Sequence, residues 1–243
     1  MTVFTNTDLI FNDYNFSEIV KVEHIRRPLI NVENHKIEGK DRVFCRGSRL
    51  VPDLIEIDVR IIESKRADIE NLKRIMMKHL YTDDAKILKT RDSELYDIAK
   101  LDGKIDFDKF LYTGFCTLKF MPMYAYRFGM FVDTIIRGDE IIIPNGHVET
   151  PPIFEIIPGA DVGSVKLTSV NLGEFVKVDY DIRKDSKLVI DCDREIVTYN
   201  GYNILKYVSF ESDFFKLIPE KENRLKIEGA NEVRMIYTER WFA

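Results

Sequence analysis

The chain has 243 residues, 45% of them hydrophobic and 32% charged, the balance of a soluble globular protein, which excludes disordered and collagen-like architectures. Its 36 Lys and Arg against 41 Asp and Glu leave a formal net charge of -5, the wrong sign for a protein that grips nucleic acid phosphates. Residues 1–128 hold 22 basic and 21 acidic side chains and residues 129–243 hold 14 and 20, so the acidity lies in the second half. A chain of this length buries a full core, either as one large β domain or as two smaller ones, and the pattern below favours two.

The first twenty residues have neither a basic n-region nor an unbroken apolar h-region, so no signal peptide is expected and the chain reads as made and folded in a cytoplasm. Asn34 to Arg42 is polar and contains Gly39. A segment of this kind inside a compact domain is an arm or loop, and in an oligomer it can wrap a neighbour. From Leu54 to Ile61 the chain alternates with period two, which places Ile55, Ile57, Val59 and Ile61 on one face of a half-buried strand and Glu56, Asp58 and Arg60 on the other. Ile69, Leu72, Ile75, Met76 and Leu80 then recur at helical spacing, predicting one helix over residues 64–81 with Ser64 as its N-cap. Short strands are expected at 86–89, 96–101 and 114–121.

The apolar stretch from Phe120 to Val132 is broken by Pro122, Arg127 and Gly129 and is too short to cross a bilayer. Because proline stops a central strand and glycine loosens the backbone, a domain boundary is expected near residue 128. Beyond it, short β-branched or aromatic runs at 140–143, 153–157, 164–170, 174–180, 187–190, 195–199, 214–218, 223–227 and 232–237 are separated by turn signals such as Asn145-Gly146 and Asn200-Gly201. That spacing predicts a β-sandwich over residues 129–243, behind a first domain, 1–128, that is β with one helix.

Chemistry-bearing residues form no recognisable constellation. Cys45, Cys116 and Cys192 are odd in number and far apart and read as reduced core residues. His24, His35, His79 and His147 lack a second His or Cys at ligand spacing. No P-loop, dinucleotide fingerprint or G-x-S-x-G elbow is present. Asp191-Cys192-Asp193-Arg194-Glu195 lies between two strand runs and reads as a hairpin turn, and the mixed charges of Glu220 to Arg224 read as a solvated loop. The expectation is therefore no catalytic residue, no metal ligand and no cofactor.

Four segments, in order, resemble the siphophage distal tail protein family. They are Arg26-Arg27-Pro28-Leu29 with Glu33-Asn34 and Gly39-Lys40-Asp41; Ile55 to Ile62 through Leu80-Tyr81-Thr82-Asp83; Asn145-Gly146-His147 through Thr150-Pro151-Pro152 to Ile156; and Phe214 to Leu225 with Tyr237-Thr238-Glu239-Arg240-Trp241. The chain departs from the family pattern where proline-glycine usually precedes the asparagine of the closing motif, since Pro219 is here followed by Glu220-Lys221-Glu222. The resemblance implies a virion structural protein of a long-tailed phage or prophage, at the tail tip or baseplate. It implies a homohexameric ring closed by a barrel-like first domain, with a galectin-like β-sandwich as the second. The implied partners are the chain itself, the tail tube protein, the tip protein and receptor-binding proteins. No membrane and no specific nucleic acid binding are implied, although DNA can pass through such a ring, and assembly would take place in the host bacterial cytoplasm. Some relatives carry an inserted carbohydrate-binding module, for which this chain has no spare segment.

Two other readings stand beside this one. A carbohydrate-binding adhesin would hold sugar on the second-half sandwich against Tyr199, Tyr202, Tyr207 or Trp241, rings whose ordinary role is in cores and interfaces. A glycan hydrolase would need two carboxylates facing a cleft, for which Asp191 and Asp193 are the candidates.

Overall fold

A computed structural model describes residues 9–27, 31–38, 43–62, 69–90 and 94–242. The expected N-cap Ser64 and the motif residues Pro28, Leu29 and Gly39 to Asp41 lie outside them. The chain divides into two compact units, residues 1–128 with 242–243 and residues 129–241.

In the first unit, β1 (Leu9–Phe11), β2 (Tyr14–Asn15) and β3 (Val20–Arg26) precede a hairpin of β4 (Asn31–Glu38) and β5 (Val43–Val51). Then come β6 (Ile55–Ile61), α1 (Ile69–Leu80), β7 (Lys86–Thr90), β8 (Tyr96–Leu101), α2 (Phe107–Thr113) and β9 (Phe115–Pro122). The main antiparallel sheet has the order β2-β1-β7-β8-β9-β6-β3. Its end strands β2 and β3 do not pair with each other, so the barrel-like expectation is corrected to an open sheet. The alternation of β6 is realised: Ile55, Ile57, Val59 and Ile61 are buried, between β3 on one side and β9 on the other. Helix α1 covers this core with Leu72, Met76 and Leu80, one residue per turn and each contributing about 1.5–3 kcal/mol by burial. Glu70 in its first turn and Lys78 in its last complement the helix dipole.

Three features of this unit are absent from the sequence reading. Asn12 and Asp13, at φ 51° and 58°, form a two-residue turn joining β1 to β2, where two left-handed residues match strand twist. The second helix, α2, buries Phe107 and Phe110 and ends on Gly114 at φ 78°, whose N–H donates to the Phe110 carbonyl at 2.7 Å. Of the expected arm or loop of residues 34–42, residues 34–38 belong to β4, which pairs antiparallel with β5 from Asn31↔Val51 to Glu38↔Val43 in a two-stranded sheet of their own.

Strand β10 (Tyr126–Arg137) runs through the expected break at Arg127-Phe128-Gly129 without interruption. In the second unit it is followed by β11 (Asp139–Ile142), β12 (Ile153–Ile156), β13 (Val165–Ser169), β14 (Glu174–Val178), β15 (Leu188–Asp191), β16 (Ile196–Tyr199), β17 (Tyr202–Asn203), β18 (Asn223–Glu228) and β19 (Glu232–Phe242). Two antiparallel sheets, β17-β16-β15-β12-β19-β10 and β11-β18-β13-β14, enclose one core that includes Phe154, Ile156, Leu167, Val176, Ile190 and Met235. This is the expected sandwich.

The run 214–218 is not a strand. Leu217 exchanges two backbone hydrogen bonds with Thr150, at 2.8 and 3.0 Å, and the ladder stops there because Pro151 and Pro152 follow on the partner with no N–H to offer. The free edge of β14 is covered by residues 207–213. Ser209 N–H donates to Lys177 O, Asp213 N–H to Phe175 O and Asp179 N–H to Tyr207 O, each at 2.9 Å. A covered edge cannot template pairing with another chain.

Candidate functional site

The motif segments that begin, interrupt and end the second unit meet one another. Backbone N–H groups of His147 and Val148 both donate to the Arg240 carbonyl, at 2.9 and 3.1 Å. Gly146 sits at φ 114°, and a Cβ there would lie 2.6 Å from the same carbonyl oxygen. Only glycine fits this position, on both conformational and steric grounds. Asn145 Nδ2 donates to Glu239 Oε1 at 2.9 Å, satisfying a carboxylate that is only 4% exposed. The His147 ring meets Trp241 edge to face at 4.8 Å, so the half-buried Trp241 packs within this unit.

The third segment joins through its turn. Glu220 N–H donates to Pro144 O at 2.8 Å. Asn223, 1% exposed, accepts from Ile218 N–H at 2.8 Å and donates through Nδ2 to the carbonyls of Lys221, Ile218 and Ile142 at 2.8, 2.9 and 3.3 Å. Glu220 takes the left-handed conformation, φ 57°, next to the place where the family pattern has glycine.

Asp191 and Asp193 serve the turn between β15 and β16. Asp191 Oδ1 accepts from the N–H groups of Asp193 and Arg194, both at 3.0 Å, and Arg240 Nη2 donates to Asp193 Oδ1 at 2.8 Å. These roles leave the pair as turn and ion-pair residues and not as a facing acid and base. On the outer face of the larger sheet a charge ladder crosses four strands or their ends: Lys187–Glu155 at 2.6 Å, Glu155–Arg234 at 2.9 Å, and a two-pronged Arg234–Asp133 pair at 2.6 and 2.8 Å. The bonds from Lys187 and Arg234 hold the Glu155 carboxyl below the usual range, and Arg234 does the same for Asp133.

In the first unit, Asp97 is 3% exposed, accepts from Arg27 Nη1 at 2.8 Å and lies 3.5 Å from Arg127 Nε. The neighbouring Arg26 takes Asp58 on β6 with bonds of 2.7 and 2.9 Å. Hydrogen bonds from Thr117 at 2.6 Å and from Arg26 hold the Asp58 carboxyl low. The double arginine of the first motif thus has two destinations, one buried and one on the outer face. An open cleft of about 520 Å³ beside Asp58 is lined by His24, Arg60, Phe110, Phe115 and Cys116. Burial pushes the Cys116 thiol up to about 11, so it is not a thiolate nucleophile at neutral pH. Cys192 is buried and its thiol is likewise pushed up by burial. The side chains of Cys45 and His35 lie outside the described residues. His79 stacks on Tyr14 at 4.3 Å, and burial lowers its pKa.

Of the four aromatics considered for sugar binding, the structure brings two together. Tyr199 and Tyr207 both pack on Tyr180, at ring distances of 5.2 and 4.7 Å, in an open cleft of about 760 Å³. Tyr202 is exposed on β17 and lines no part of it. Tyr180, the ring between the two, was missed in the sequence, where its run reads only as a strand.

Two family models match the chain in succession: the phage tail protein RIFT-related domain over residues 7–121 and the siphovirus-type tail component, C-terminal domain, over residues 145–241. The chain belongs to the siphophage distal tail protein family. The second match runs from Asn145 to Trp241, the two ends that the structure clamps together. The distal tail protein of Bacillus phage SPP1 is 25% identical over 129 residues, a stretch covering 51% of this chain and about half, 50%, of that protein. Among solved structures, SPP1 Dit, described as a paradigm of the hub adsorption apparatus in Gram-positive infecting phages, superposes with a TM-score of 0.80 over 96% of this chain and 98% of that one, at 17% identity. The baseplate of phage P2 in its activated conformation with Ca gives 0.54 over 93% and 92%, at 10% identity. These likenesses establish the fold. Among the described residues, no helix is long and apolar enough to cross a membrane, and no group of His, Cys, Asp and Glu is arranged to hold a metal.

Proposed function

We propose that the chain is the structural hub of a long-tailed phage tail tip or baseplate. Six copies close a ring through the first unit, the ring joins the tail tube to the tip protein, and the second unit anchors receptor-binding proteins. The role is mechanical and not enzymatic; the virion tail tip is its location and the host cytoplasm its place of assembly. The observation that carries this reading is the β4–β5 hairpin in a chain of the distal tail family. A two-stranded hairpin by itself is marginal in water, and among the described residues this one pairs with no other strand of its own chain. A neighbouring subunit is the partner that completes it, as a head-to-tail contact that closes on itself requires. Both edges of β6 are already taken by β3 and β9, so any subunit contact there runs through its outward side chains and not its backbone.

Light scattering on the full-length protein at several micromolar concentrations tests the reading. The expected mass is about six times 28.5 kDa. A concentration-independent monomer rules out self-closure and leaves ring formation dependent on tip proteins. Since residues 1–128 are nearly neutral, the ring passes DNA without holding it. A salt-sensitive, micromolar affinity for DNA would contradict that.

A further inference from the structure

We propose that the tyrosine cleft of the second unit is a binding site for a neutral sugar. This goes beyond the hub reading and does not depend on it. Four segments build the site, Gly163 before β13, the stretch 179–183 after β14, Tyr199-Asn200 at the end of β16, and Tyr207 in the 3₁₀ turn Leu205–Tyr207. They are tied to one another and to the sandwich by bonds within the unit. Asp179 N–H donates to Tyr207 O at 2.9 Å, Arg183 N–H to Tyr199 Oη at 3.3 Å, Ile182 N–H to Val162 O at 2.8 Å and Lys187 N–H to Asn200 Oδ1 at 2.9 Å. The cleft is therefore formed before any ligand arrives, and at about 760 Å³ it falls among small-molecule sites, roughly 300–1,000 Å³.

Its chemistry selects the ligand class. The Tyr207 ring, 38% exposed, packs on Tyr180 at 4.7 Å and carries the exposed Lys206 ammonium 4.8 Å from its centroid, a cation that the C–H face of a pyranose has to displace to stack on the ring. Around it stand polar groups with unused capacity. Asp181 makes no hydrogen bond or ion pair through its carboxylate among the described residues, and Asn200 engages its Oδ1 and keeps Nδ2 to donate. Arg183 is the exception among the arginines of this unit. Arg137, Arg194, Arg224, Arg234 and Arg240 each pair with a carboxylate, whereas the Arg183 guanidinium has no such partner among the described residues. A free carboxylate, a free guanidinium and a free amide beside an aromatic face match a ligand of many hydroxyls. They do not match a phosphate, which the carboxylates of Asp179 and Asp181 would repel, nor a hydrocarbon, which would leave buried polar groups unpaired.

The test is saturation-transfer NMR on the full-length protein with glucose, galactose and N-acetylglucosamine as separate probes. Transfer to the ring protons of at least one sugar is expected. It should fall at least fivefold in Tyr207→Ala and in Asp181→Asn, while Tyr112→Ala, which removes an exposed ring of the first unit, leaves it unchanged. Arg183→Met, which leaves the tyrosine packing intact, should also reduce it, with unchanged circular dichroism showing a folded chain. Inorganic phosphate should not compete. The proposal is overturned by no transfer to any of the three sugars, by a signal that survives Tyr207→Ala, by a loss as large in Tyr112→Ala, or by competition from phosphate.

Discussion

At the scale of single residues, Asn223 does more than its short side chain suggests. Buried and bonded to four backbone groups, it replaces the ladder hydrogen bonds that the 218–222 turn lacks. Removing it takes the side-chain partner from one N–H and three carbonyls of half-buried or exposed residues, at up to about 1–3 kcal/mol for each that water does not reach. Asn223→Ala is expected to destabilise the second unit by about 3 kcal/mol in urea unfolding, and a loss under about 1 kcal/mol would show that water takes over the bonds. Glu220 gives the opposite sign. Its left-handed backbone, φ 57°, is strained for a residue with a Cβ, so Glu220→Gly should stabilise the turn by about 0.5–1 kcal/mol, offset in part by glycine's freedom when unfolded. The missing family glycine thus changes the strain in this turn and not its path, because Asn223 holds the path.

At the scale of elements, the ladder Lys187–Glu155–Arg234–Asp133 ties strands of one sheet through their outer faces. Both carboxyls have folded pKa values below the ordinary range. Such groups stabilise the fold above their unfolded pKa, near 4, and the contribution is lost as pH falls through the folded value. Arg234→Gln should therefore lower the thermal midpoint by a few degrees at pH 6, and the gap from the parent should close below about pH 3; parallel curves across the range would show that the ladder is not the source. The elements legible in the sequence were those whose pattern is decided locally: β6, β8 and α1 each bury one face of a regular period. Strand β10 was hidden because its outer face carries Phe131 and Ile135, both exposed, which blurs the alternation, and because Gly129 reads as a break although its backbone is extended. The 214–218 run misled for the reverse reason, since its pattern is strand-like but the proline pair across from it ends the ladder. The tyrosine cleft was only half legible, because Tyr180 reaches Tyr199 and Tyr207 through pairings that no local spacing encodes.

At the scale of the whole molecule, the β4–β5 arm decides between a self-sufficient chain and a subunit. The strands are joined by the pairing Asn31↔Val51 to Glu38↔Val43, and neither has a second neighbour among the described residues. Their outer edges therefore present backbone N–H and C=O groups that a monomer must leave to water. Such edges are a liability in a free chain and an asset in a ring, where each subunit's arm has a neighbour to receive it. Deleting residues 34–42 removes the distal part of the hairpin without touching the main sheet, whose order β2-β1-β7-β8-β9-β6-β3 involves neither arm strand. The deleted protein should therefore keep its folded spectrum and thermal transition but run as a soluble monomer, about 1 kDa lighter than the 28.5 kDa chain, and not at about six times that mass. If it instead remains a ring, the arm is not the closing contact, and the exposed side chains on the outer face of β6 become the next surface to mutate. A chain that unfolds on deletion would place the hairpin inside the first unit's own stability, contrary to the pairing that leaves it apart.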